Sequence, residues 1–255
     1  MFLGLIRGEL IMLVIAIMAI LIYPLSVTIT NKSYKKWPIK RTIFWLLGVT
    51  SATSALVGPI ATYAHHNFII HMVGHLLLGM LAPLLIALSA PVSLLLRTLS
   101  TANARRVTEL CKCKFVRFLS HPLTASILNI GGLWLLYTTP LYMAMHHHPV
   151  LHLLIHLHVV FAGYLFIVSI IYIDPIHYRL SYLYRSIVMV LALAAHGILS
   201  KYIYAFPPIG IEQAQAERGG ILMYYGGDAI DLILIVIFCS QWYKDSRPKN
   251  STIYA

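Results

Sequence analysis

The chain has 255 residues, 59% of them hydrophobic and only 11% charged, with a mean hydropathy of +0.80 and a formal charge of +11. A soluble domain carries roughly 25% charged residues, so this composition excludes an ordinary soluble globule. It points to a polytopic, all-α membrane protein, with 1–255 as one transmembrane domain, and its positive charge does not signal nucleic acid because the basic residues lie in loops between apolar runs.

Runs of about twenty apolar residues can cross the hydrocarbon core as helices. The pattern predicts a bundle of seven transmembrane helices, at about 5–28, 41–63, 69–96, 122–144, 150–173, 183–205 and 219–242. The first could be mistaken for a secretion signal. Its lysine cluster follows the apolar stretch, however, and Tyr23-Pro24 is no cleavage site, so it reads as a retained span. Pro24, Pro59, Pro83, Pro91 and Pro140 fall inside or near the ends of spans, which membrane helices tolerate where neighbours satisfy the freed carbonyls.

Charge then orients the bundle. The loops after the first, third and fifth spans, together with the tail, hold sixteen of the nineteen Lys and Arg. Only Arg7, Lys201 and Arg218 fall on the other side. By the positive-inside rule the N-terminus is outside and the C-terminus cytoplasmic, while the basic loops meet anionic headgroups of the bilayer.

The thirteen histidines sort by side. His65, His66, His71 and His75 flank the outer start of the third span, and His146, His147, His148, His152, His156 and His158 flank that of the fifth. His196 reaches a similar depth on the sixth, whereas His121 and His177 are cytoplasmic. In the pairs His71/His75 and His152/His156 a four-residue spacing puts both rings on one helix face, one turn apart. In the seventh span Asp228 follows Gly226-Gly227 and is an intramembrane carboxylate; Asp231 lies on a neighbouring face.

Three chemistries fit an outer layer of imidazoles. Copper or zinc suits imidazole, and Met72, Met143, Met145 and Met223 in the same layer bias a site towards Cu(I). Asp228 is placed to orient the second nitrogen of a ligating histidine. Haem held by two histidines on different helices is the alternative, a membrane oxidoreductase; electron transfer across the bilayer would need inner-leaflet histidines, which are lacking. A proton relay needs ionisable groups at successive depths, and few lie below Asp231 and Glu9. Otherwise the histidines are structural, bonding between helices. Cys111, Cys113 and Cys239 are all cytoplasmic and read as reduced thiols. No G-x-S-x-G, H-E-x-x-H or phosphate-binding glycine loop appears, and the chain is not read as an enzyme.

The third span reads His71-Met-Val-Gly-His75-Leu-Leu-Leu, then Ala82-Pro83-Leu-Leu, Ala90-Pro91 and Leu95-Leu96-Arg97. It resembles the CtaG family of cytochrome c oxidase assembly factors, in the Bacillus-type caa-oxidase branch. His121-Pro122, Pro140-Leu-Tyr142, His152 to His156 followed by Gly163, and Asp174-Pro175 are similar to that family too. The chain departs from the family pattern at Gln215-Ala-Glu-Arg218, where an Asp-Gln pair is common, and at Met223-Tyr-Tyr, where Met-Trp is frequent. The resemblance implies a multi-pass protein of the bacterial plasma membrane that helps mature a haem–copper oxidase. Its partners would be oxidase subunits or copper chaperones, and its role copper delivery or chaperoning without turnover. Joined to the histidine pattern, this gives an expected copper site of His71, His75, His152 and His156, with His196 and Asp228 as inner partners.

Overall fold

The computed structural model describes residues 2–176 and 178–247, with side chains from residue 9 onward. His177, Lys249 and the side chain of Arg7, which enter the assignments above, lie outside the described residues. Helices joined by short turns make up the structure, and no strand occurs among the described residues. Five helical stretches are long and apolar enough to cross a membrane: Glu9–Thr30, Phe68–Leu88, Pro149–Ile170, Tyr182–Ala205 and Gln213–Ser246.

The remaining two expected spans are helical but interrupted, at proline in two of the three breaks and at a π-helical turn in the third. Helix α2 (Ile39–Leu56) ends before Gly58, whose φ of +90° is open to glycine, and Pro59 then starts α3 (Pro59–Ala64). Helices α9 (Pro122–Ser126) and α10 (Gly132–Thr138) are joined through a π-helical turn, Ile127–Gly131. Pro140 then separates α11 (Leu141–His147). The third expected span is likewise divided. Helix α4 (Phe68–His75) widens into a π-helical segment, Leu76–Leu81, and continues as α5 (Ala82–Leu88). Pro83 has no N–H for the carbonyl of Gly79. Gly163 packs onto that carbonyl instead, so closely that a Cβ would collide with it. Ala90, at φ +56°, breaks the chain before α6 (Pro91–Thr98). Asp174 accepts from the backbone N–H groups of Val92 and Ser93 and from the Ser93 hydroxyl, stabilising that new helix start.

Helix α1 (Phe2–Thr30) is peripheral. Its Leu10, Ile15, Leu21 and Leu25 are 58–60% exposed, a surface suited to lipid. Tyr23 pins it by donating to the Ser89 carbonyl (2.6 Å), and Trp45 donates to the Ala19 carbonyl (2.8 Å). Helices α7 (Thr101–Lys112) and α8 (Lys114–Leu119) carry the largest basic loop. The cysteines are exposed; the Cys113 sulfur caps α8, accepting from the Val116 N–H.

Helices α12 (Pro149–Ile170), α13 (Tyr182–Ala205) and α14 (Gln213–Ser246) complete the bundle. Along α14 the buried stripe runs through Gly219, Gly220, Met223, Gly227, Asp231, Leu234 and Phe238. Spacings of three and four set this face against α13 and α4. Three apolar clusters result among the described residues, the smallest around Tyr23, Trp37, Ala90 and Leu94. One, around Ile130, Phe166, Ile170, Met189 and Phe238, fills the expected cytoplasmic half. A second, around Phe68, Met72, Leu133, Tyr137, Met145 and Met223, lies at the histidine end, with Phe68 and Tyr137 against His71. Arg185, expected in a loop, is instead 1% exposed within α13. It donates to the Ile170 carbonyl and lies over the rings of Tyr172, Tyr182 and Phe238, at 4.0, 4.3 and 5.2 Å from their centroids.

Candidate functional site

The site is built where α3, α4, α11 and α12 converge, and the start of α4 fixes its register. The Asn67 side chain accepts from the N–H groups of Ile69 and Ile70, and Gln215 of α14 accepts from that of Phe68 (2.9 Å). These caps hold α4 both axially and in rotation, so that His71 and His75 face the bundle interior.

At the mouth of this region five imidazoles form one connected group. His65, which ends α3, stacks at 5.2 Å on His152 and meets His146 edge-on at 5.7 Å. His152 lies 4.1 Å from His156 and 6.5 Å from His146, and His146 lies 6.2 Å from His71, all between ring centroids. Two rings have a defined tautomer. The Nδ1 of His146 donates to the Tyr142 carbonyl at 2.9 Å, and that of His156 to the His152 carbonyl at 2.8 Å. A carbonyl only accepts, so each neutral ring keeps its proton on Nδ1 and presents a bare lone pair at Nε2. Metal-binding histidines use the same second-nitrogen anchor. At the lip, packing against neighbouring helices, and then His146 and His66, hold His65 below its ordinary pKa.

Below the mouth, His71 Nε2 meets the Tyr137 hydroxyl at 3.1 Å. A small cavity of ≈ 30 Å³ lies between His71, His75, His156, Tyr137 and Met145. His75 also borders a second, deeper cavity of ≈ 20 Å³, shared with His196, Met80, Asn129 and Asp231. The rings of His75 and His196 are 6.1 Å apart and inclined by 30°. Both Nε2 atoms are buried and have no hydrogen-bond partner.

The six residues expected to form one copper site therefore divide. His71, His152 and His156 join the mouth, His75 pairs with His196, and Asp228 is exposed on α14. Asp231 takes the inward position instead, four residues after Gly227 on the buried stripe. Among the described residues, no group of three or more His, Cys, Asp or Glu side chains converges tightly enough to hold a metal ion. His158 is exposed and bonds through Nε2 to the Leu128 carbonyl at 3.0 Å, across a gap that Gly132 leaves open. That is a structural role. His66, His147 and His148 are exposed. Met72 and Met223 lie fully buried in the apolar core, Met145 lines the upper cavity and Met80 the lower one. Tyr137, His65, His146, Asn129 and Met80 join the site only through tertiary packing. His65 and His146 carried a sequence signal in the outer histidine layer, and Asp231 one in its place on the glycine-bearing face.

Comparison with known proteins agrees with the resemblance in the third span. The model of the family Caa3_CtaG, cytochrome c oxidase caa3 assembly factor, matches residues 21–245. An uncharacterized protein of Mycobacterium leprae (strain TN) is 29% identical over 232 residues, covering 83% of this chain and 35% of that protein. Uncharacterized proteins of Mycobacterium bovis and Mycobacterium tuberculosis are 32% identical over the same length, with the same coverage. The chain thus spans about a third of the length of these relatives. No solved structure matches it.

Proposed function

The chain belongs to the family of cytochrome c oxidase caa3 assembly factors, and from that premise we propose that it holds copper at its histidine end and delivers it to, or chaperones, an oxidase subunit. In this reading it crosses the bacterial plasma membrane seven times. The interrupted segments α2–α3 and α9–α10 supply the second and fourth crossings, and the basic loops lie in the cytoplasm. The histidine end then faces outside, where an oxidase subunit or a copper chaperone can meet it. It acts by passing on a bound ion, without turnover.

The observation that carries the proposal is the connected mouth group of five imidazoles, two of them anchored through Nδ1 with Nε2 free. Imidazole nitrogens suit copper. The cavities, of ≈ 20 and ≈ 30 Å³, also favour a bare ion over haem, since organic ligands occupy sites of roughly 300 Å³ or more.

Copper content of the purified wild type beside a His152→Ala/His156→Ala variant tests this. The variant should lose about half of the bound copper or more, with caa3 oxidase activity falling in cells that carry it. Equal copper in the two proteins overturns the proposal. So does a strong Soret band with reducible α and β bands, which would assign the histidines to haem.

A further inference from the structure

The deeper cavity is a different chemical environment from the mouth. His75 and His196 are 7% and 3% exposed, and neither Nε2 has a partner although a buried polar nitrogen left unpaired is costly. Each ring is seated on a glycine. A Cβ on Gly79 would lie 3.4 Å from the His75 ring, and one on Gly227 2.6 Å from that of His196. The Met80 methyl comes within 3.7 Å of that same Gly227 position, and Met80 lines the cavity together with His75 and His196. Most of the remaining wall is hydrocarbon from residues such as Ile130, Leu133 and Phe166; only Asn129 and Asp231 add polar groups.

We infer that His75, His196 and Met80 form a second, deep Cu(I) site, separate from the mouth cluster, with Asp231 as its counter-charge. Two neutral imidazoles and a thioether are soft, uncharged donors, few in number, as a d¹⁰ monovalent ion accepts. Zn(II) in a closed site prefers four ligands. Charge makes the same choice. One Cu⁺ and one Asp231 carboxylate sum to zero, whereas a divalent ion would leave an unbalanced positive charge in an apolar interior. His75 borders both cavities, and the upper one is also lined by His71 and His156 of the mouth group, so His75 stands between the two sites. The inference rests on the copper reading of the mouth only for the identity of the metal.

Anaerobic Cu(I) titration of the detergent-purified full chain against a chromogenic chelator tests it. Wild type should take up two equivalents. His75→Asn/His196→Gln should retain one, and His152→Ala/His156→Ala should retain the other. Met80→Leu, nearly isosteric, should keep the stoichiometry but lose the sulfur scatterer from the copper absorption spectrum and weaken one site at least tenfold. Full uptake by the His75/His196 variant overturns the deep site and leaves the mouth reading standing. Loss of copper in that variant alone, with none in the His152/His156 variant, does the reverse. A sulfur-free spectrum in wild type removes Met80, and with it the Cu(I)-selective site inferred here. No uptake by wild type removes both readings and leaves the deep cavity to a water.

Discussion

The two ends of the bundle treat buried polar groups in opposite ways. At the expected cytoplasmic end Arg185 is packed shut. Three aromatic faces and the Ile170 carbonyl surround its guanidinium, although its buried Nε has no acceptor. At the histidine end, His75 and His196 are also buried, line a small cavity, and have Nε2 atoms without a hydrogen-bond partner. Burial alone therefore does not distinguish structure from function. What differs is the surroundings: aromatic faces and a carbonyl enclose the guanidinium, whereas the two imidazoles line a cavity shared with Met80, Asn129 and Asp231.

Substitutions can break this comparison from either side. The largest stability effect is expected for Arg185→Ala, which removes three cation–π contacts and a buried hydrogen bond and leaves a void: a loss of about 3 kcal/mol or more. Thermal melts in detergent should show it, while copper per folded molecule stays at the wild-type value. Gly163→Ala should cost about 1–3 kcal/mol, because the new Cβ meets the Gly79 carbonyl and forces α12 away from the π-helical segment. Gly227→Ala should act differently, pushing on the His196 ring and lowering copper retention more than stability; an unchanged copper affinity would show that the ring position does not matter. Asp231→Asn and Asp228→Asn form a sharper pair. Only the first, which lines the deep cavity, should weaken copper retention. Equal effects would erase the distinction between them.

The smallest effect concerns pH. His65 has a depressed pKa in the folded chain, so the unfolded chain takes up a proton first as pH falls through the ordinary value of about 6.5. Stability should thus decline slightly on acidification below that point, and melts at pH 7.5 and 5.5 should show a shallower slope for His65→Asn.

Local chemistry made most of the fold legible. The all-helical class, the five long apolar helices among the seven expected spans, and the histidine pairs one turn apart follow from hydropathy and helical periodicity. The breaks before Pro59 and Pro91, by contrast, interrupt stretches that hydropathy reads as continuous spans. Those same rules fix which side chains share a face of one helix, but not which other helix that face meets. Rotation and depth of one helix against another come from close contacts such as Gly79 with Gly163, the glycine-bearing stripe of α14, and the Asn67 and Gln215 caps that lock α4. Tertiary structure therefore decided that His75 pairs with His196 rather than with His152 and His156, that Tyr137 stands beside His71, and that Asp231 rather than Asp228 faces inward. The sequence by itself determined that this family member carries a layer of imidazoles at one end of an apolar bundle. Only packing divided that layer into a mouth and a deep pair, because a ring's neighbours across a helix interface depend on backbone approach distances that no spacing within one helix encodes.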